Sequence, residues 1–104
     1  MLHMNPEIVK LIVEKGLKNV NLSMFTEAEK KTIIEDVAEV FLRQGKTSDV
    51  IEILEYIDLK RFAELLRPVA ENCVELGEYK KAVQIYEKIG NHELATFIRV
   101  NFDG

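Results

Sequence analysis

The chain has 104 residues, with 14 Lys and Arg against 18 Asp and Glu, a net charge of −4 and 47% apolar residues. That is the size of one domain and a globular composition, which excludes a disordered or fibrous chain, and the acidic balance works against a broad basic face for phosphate backbones. Cys73 is the only cysteine, so no intramolecular disulfide and no C-x-x-C zinc or redox pair exists, and a reducing compartment fits best.

Glu7 and Lys10 interrupt the apolar stretch that a signal peptide needs, and no segment approaches the ~20 apolar residues of a membrane span. The expectation is a soluble, cytoplasmic protein with no membrane partner. Its charge is uneven: residues 22–57 carry four basic against eight acidic side chains, whereas both flanks are nearly balanced.

In chain order, apolar residues recur at three and four and nowhere alternate strictly, so every element is predicted helical and the class all-α. Asn5-Pro6 is a cap followed by proline at the first helical position, and Ile8, Leu11 and Ile12 follow it. Helix one is expected over 6–18. Thr26-Glu27-Ala28-Glu29 reads as a capping box, followed by the stripe Ile33, Ile34, Val37, Ala38, Phe41 and Leu42 and stopped at Gly45. A third helix is expected from Ser48 to Ile57. Asp58 can cap a fourth, with the stripe Phe62, Leu65, Leu66, Val69, Ala70 and Cys73, ended by Gly77. Pro68 falls inside it, where proline costs ~3 kcal/mol in a regular helix, so that helix either kinks or restarts. A fifth helix covers 79–89 and ends at Gly90, and Asn91 can cap a sixth to Asn101.

Gly45 and Gly77 are 32 residues apart. The same offset superposes Val37, Ala38 and Glu39 on Val69, Ala70 and Glu71, and Ile53, Glu55 and Ile57 on Ile85, Glu87 and Ile89. Ala63 and Arg67 meet Ala95 and Arg99. Matches on helical-core positions and on the stop glycine indicate a repeated helix, turn, helix unit, and that period is the arithmetic of a solenoid of antiparallel helix pairs. One domain over 1–104 is therefore expected: a capping helix at 6–18, repeat 1 at 26–57, repeat 2 at 58–89, and a partial repeat or C-terminal cap at 90–104.

With Ala70, Gly77-Glu78-Tyr79, Ala82 and Tyr86 in the second copy, and Ala38, Phe41 and Gly45 in the first, the chain resembles the tetratricopeptide class and its looser relatives. It departs from that class in having no tryptophan and no proline closing either unit, and Val50 and Leu54 stand where the first copy would carry an alanine and an aromatic. The resemblance implies a short right-handed α-solenoid of about six helices, without catalysis, whose first helices line a groove for peptides. By position that groove would be Thr32, Glu35, Asp36 and Glu39 in the first copy, and Glu64, Arg67, Glu71 and Asn72 in the second. The Lys and Asn pattern that clamps a C-terminal carboxylate in chaperone-binding members is missing, since Glu35 and Glu39 occupy its place. The implied partner is a basic or neutral protein or peptide. Solvated carboxylates on a helix face are the plainer reading of the same residues.

Other residues that could carry chemistry have plainer readings too. His92-Glu93-Leu94-Ala95-Thr96 lacks the second histidine of a zinc-protease box, which leaves His92 a first-turn surface residue. Met1-Leu2-His3 places a histidine third from a free amine, a geometry able to wrap Cu(II) or Ni(II) but commonly adventitious. Cys73 takes the core position that Phe41 holds in the first copy, so it reads as an inert buried thiol. Neither a cofactor nor a metal is expected. The basic pairs Lys30-Lys31, Lys60-Arg61 and Lys80-Lys81 are each flanked by acids, as on solvated faces. A nucleic-acid-associated regulatory repeat protein is the alternative function, against which the acidic middle weighs. An incomplete third unit would leave Leu94, Phe97, Ile98 and Phe102 short of partners, which predicts either a terminal cap or a homodimer surface.

Overall fold

The computed structural model describes residues 6–102. The Asn5 cap and the Met1-Leu2-His3 geometry lie outside the described residues. Among these residues the regular elements are all helical: α1 (Pro6–Lys15), α2 (Glu27–Gln44), α3 (Thr47–Ile53), α4 (Leu59–Glu75), α5 (Tyr79–Lys88) and α6 (His92–Asn101), with short 3-10 turns at Leu17–Asn19 and Leu54–Tyr56. No helix among them is long and apolar enough to cross a membrane.

The chain divides into two compact units, Met1–Ile57 and Asp58–Gly104. The boundary falls between the two sequence copies. In the first unit α1 packs on α2 and α2 on α3; in the second α4 packs on α5 and α5 on α6.

The helix ends follow local chemistry. Thr26 Oγ1 accepts from the Glu29 amide at 3.1 Å and Glu29 Oε1 accepts from the Thr26 amide at 2.9 Å, so both orphan donors of the α2 N-terminus are satisfied. Asp58 Oδ1 accepts from the amides of Lys60 and Arg61 and opens α4; Asn91 Oδ1 accepts from the Leu94 amide and opens α6. Gly45 and Gly77 take left-handed backbone angles, with φ of 68° and 78°, and their amides and those that follow close on the last carbonyls of α2 and α4. The α2 and α4 starts, their caps, the two glycines and the α3 and α5 starts all stand 32 residues apart.

Two helices are shorter than expected. Gly16, with φ of 93°, ends α1 at Lys15, before the predicted 18. The third helix tightens into a 3-10 turn after Ile53. By contrast α4 runs unbroken through Pro68, so it does not restart there. Proline cannot donate to the Glu64 carbonyl, but both residues are exposed, and water can take the missing donor's place.

The first unit buries Val9 and Ile12 of α1, Ile33, Val37, Ala38 and Phe41 of α2, and Val50, Ile53, Leu54 and Ile57 after the turn. Its counterpart buries Phe62, Leu66, Ala70 and Cys73 of α4, Ala82, Val83, Ile85 and Tyr86 of α5, and Ala95 and Ile98 of α6. Each large apolar side chain fully removed from water contributes about 1.5–3 kcal/mol to folding. The stripes depart from expectation at two places. Leu11 and Leu65 are about half exposed, at 52% and 53%. On α1 the buried face runs through Val9 and Ile12 instead. On α4 it runs through Phe62, Leu66, Ala70 and Cys73, which leaves Leu65 outside.

Candidate functional site

At about 100° per residue, Ile33, Val37 and Phe41 span a narrow arc of α2, and Ala38 and Glu35 extend it to about 200°. Glu35 therefore lies at the edge of the buried arc and is only 7% exposed. This corrects the expectation that it lines an open groove: α2 has helices packed on two sides, which leaves it a narrower exposed face than a lone helix pair would. Its Oε2, like Oδ2 of Asp36, is shut off from solvent.

The remaining arc of α2 opens onto a cleft of about 650 Å³ shared with α1. From α1 it is lined by Pro6, Val9, Lys10, Val13 and Glu14, the i, i+3, i+4, i+7, i+8 face of that helix. From α2 and the following turn come Asp36, Glu39, Val40, Arg43, Gln44 and Lys46. The three valines make an apolar floor, and three carboxylates and three cations stand around it. That volume is in the range of ligand pockets, about 300–1,000 Å³.

Of the four groove residues expected on α2, the structure brings Asp36 and Glu39 to this cleft. Thr32 is not in the lining; its hydroxyl donates to the Ala28 carbonyl at 3.2 Å, and Glu35 is buried. The helix predicted to be a mere cap supplies one wall. Sequence reading missed that wall because it followed Ile8, Leu11 and Ile12 and passed over Val9 and Val13, which share a helix face with Lys10 and Glu14. It also overlooked Val40, which lies outside the core stripe of α2.

In the second unit Glu64, Arg67, Glu71 and Asn72 are all exposed on α4, and the Arg67 guanidinium pairs with Glu64 at 3.0 Å. Tyr86 of α5 lies behind them. Burial pushes its hydroxyl above the ordinary tyrosine range, the Glu71 carboxylate adds to that push, and the Arg67 guanidinium opposes it. Arg99 of α6 pairs with Glu87 of α5 at 2.5 Å.

The expected terminal patch is only partly a surface. Ile98 is buried in the core of the second unit and Leu94 is half-buried, because α6 turns one face onto α5. Phe97 and Phe102 remain exposed, at 55% and 50%. The Phe102 ring stacks on Tyr79 at 5.1 Å and meets Phe97 edge-on at 6.2 Å. His92 is exposed in the first turn of α6, and Cys73 is fully buried. Among the described residues no group of three or more His, Cys, Asp or Glu side chains could hold a metal ion.

No family model matches this chain, and comparison with curated proteins and with solved structures finds no match.

Proposed function

We propose that this chain is a non-catalytic protein-interaction module that seats a short segment of a partner protein in the α1–α2 cleft. The observation that carries this reading is the cleft itself: an apolar floor of Val9, Val13 and Val40 ringed by charges of both signs, on two helices packed together. Apolar anchoring with a charged rim is how helical peptides are held by helical grooves. The 32-residue spacing of caps, glycines and helix starts supports a tetratricopeptide-like solenoid built from two helix pairs. Carboxylates on the same cleft weigh against a nucleic-acid backbone as the occupant.

The test is amide chemical-shift mapping by NMR, with a model amphipathic helical peptide titrated into the full chain. Shifts should concentrate at Val9, Val13, Val40 and Arg43. Val40→Glu should abolish them while leaving the helical circular-dichroism signal intact. Shifts confined to other surfaces, or none at all, would sink the assignment.

A further inference from the structure

Six charged side chains line the α1–α2 cleft, and they are not equally available. Asp36 and Glu39 already interact with other groups of the chain, and one Asp36 oxygen is shut off from solvent. Lys10, Arg43 and Lys46 differ. All three are exposed, and among the described residues no ion pair or side-chain hydrogen bond engages them. Of the lining carboxylates only Glu14 is equally open. Three open cations therefore stand against one open carboxylate, around the apolar floor of Val9, Val13 and Val40.

Resting on the cleft as a peptide site, we propose that its occupant is an acidic amphipathic helical segment. Its apolar stripe covers the three valines. Its carboxylates, one turn apart on the flank of that stripe, pair with Arg43 and Lys46, which are three residues apart at the end of α2, and Lys10 offers a third partner.

The reason lies in what happens to the cations when the cleft loses water. A neutral segment would strip part of their hydration and return no counter-charge, and a basic one would add like charges. Carboxylates restore the balance, and an ion pair beside an apolar floor is screened less than one on an open surface. Asp36 and Glu39 need nothing from the occupant, because their partners are already in the chain. The net charge of −4 repels an acidic segment at long range, so a preference for one has to arise at a local cluster of cations. A nucleic-acid strand carries charge at every phosphate and would meet Glu14, Asp36 and Glu39 as well. A peptide bears carboxylates only where its sequence puts them. Lys10, Arg43 and Lys46 stand outside the groove positions that the tetratricopeptide resemblance implied, and they reverse the basic or neutral partner drawn from those positions.

Three model helices test this, sharing one apolar stripe and carrying Glu, Gln or Lys at the same two flanking positions one turn apart. Binding to the full chain is read by fluorescence anisotropy at low salt. The Glu peptide should bind about tenfold more tightly than the Gln peptide, the worth of two or three partly dried ion pairs, and the Lys peptide more weakly than either. In the variant Arg43→Gln/Lys46→Gln the Glu peptide should fall to the affinity of the Gln peptide, with helix content unchanged. Lys15→Gln/Lys18→Gln, which removes exposed cations of the same unit outside the cleft lining, should leave the preference in place. If the Gln peptide binds the unaltered chain as tightly as the Glu peptide, or if the preference survives the loss of Arg43 and Lys46, the charge inference is overturned and the cleft reading stands. If none of the three binds, both fall.

Discussion

Asp36 and Arg43 share one face of α2, two turns apart, and both line the cleft that α2 forms with α1. Glu35, a single residue away, points into the buried arc instead. Neighbouring carboxylates on one helix thus have different jobs. Glu39→Lys, at a half-buried position lining the cleft, is expected to cost less stability than the same change at Glu35. Glu35→Lys forces an ammonium into a buried site and should cost on the order of 2 kcal/mol or more. Urea unfolding of the two variants decides it, and equal costs would show that Glu35 is not a buried position.

The capping box at Thr26 holds the start of the helix that carries the site. Thr26→Ala removes the acceptor for the Glu29 amide and should lower stability by about 1 kcal/mol, with Asp58→Ala costing a similar amount in the second unit. Thr26→Asp keeps an acceptor and should recover most of the loss. A chemical denaturation series on the three variants provides the check.

Gly45 ends α2 in the left-handed region, with φ of 68° and open space where a Cβ would stand. Any penalty for a side chain there is therefore one of backbone strain and not of collision. Gly45→Ala should cost about 1–2 kcal/mol, and Gly45→Asn less, since asparagine tolerates that conformation better. Indistinguishable melting midpoints for the two would argue against strain as the cause.

Tyr86 sets an alkaline limit on the second unit. Its hydroxyl titrates above 10.0 in the folded chain because burial disfavours the phenolate. The folded form thus holds its proton more tightly than the unfolded form, so this contribution to stability is complete below the unfolded value and is lost as pH climbs through the folded one. Tyrosinate absorbance should show an ionisation step displaced above the ordinary tyrosine range, and Tyr86→Phe should remove it. The variant should also lose less stability between neutral and strongly alkaline pH.

The ring of Phe102 stacks on Tyr79 and ties the end of α6 to the start of α5. Phe102→Ala should cost about 1 kcal/mol, the worth of one aromatic pair together with partial burial of the ring. Near-ultraviolet circular dichroism should lose tyrosine signal in that variant and keep it in Phe102→Tyr. No change in the tyrosine band would mean that the stack is not held in solution.

Which residues start and stop helices was legible in the sequence, because capping and left-handed turns are local chemistry. Thr26 with Glu29, Asp58, Asn91, Gly45 and Gly77 act where their side chains, or the lack of one, dictate, and the caps and starts of α2 and α4 stand 32 residues apart accordingly. The apolar period also identified the core face of α2 and α4: Ile33, Val37, Phe41, Phe62, Leu66 and Cys73 are buried as their spacing requires.

Tertiary packing decided the rest. A helical period tells which face is apolar but not how wide an arc its neighbours will cover, so Glu35 became buried and Leu65 stayed exposed. Nor does periodicity say which two helices will leave a cleft between them, and the wall supplied by Val9, Lys10, Val13 and Glu14 emerged only once α1 lay on α2. Local sequence sets the conformation of each segment because its interactions span a few residues. Burial and cleft formation depend on residues tens of positions apart in the chain, and only the folded chain brings those together.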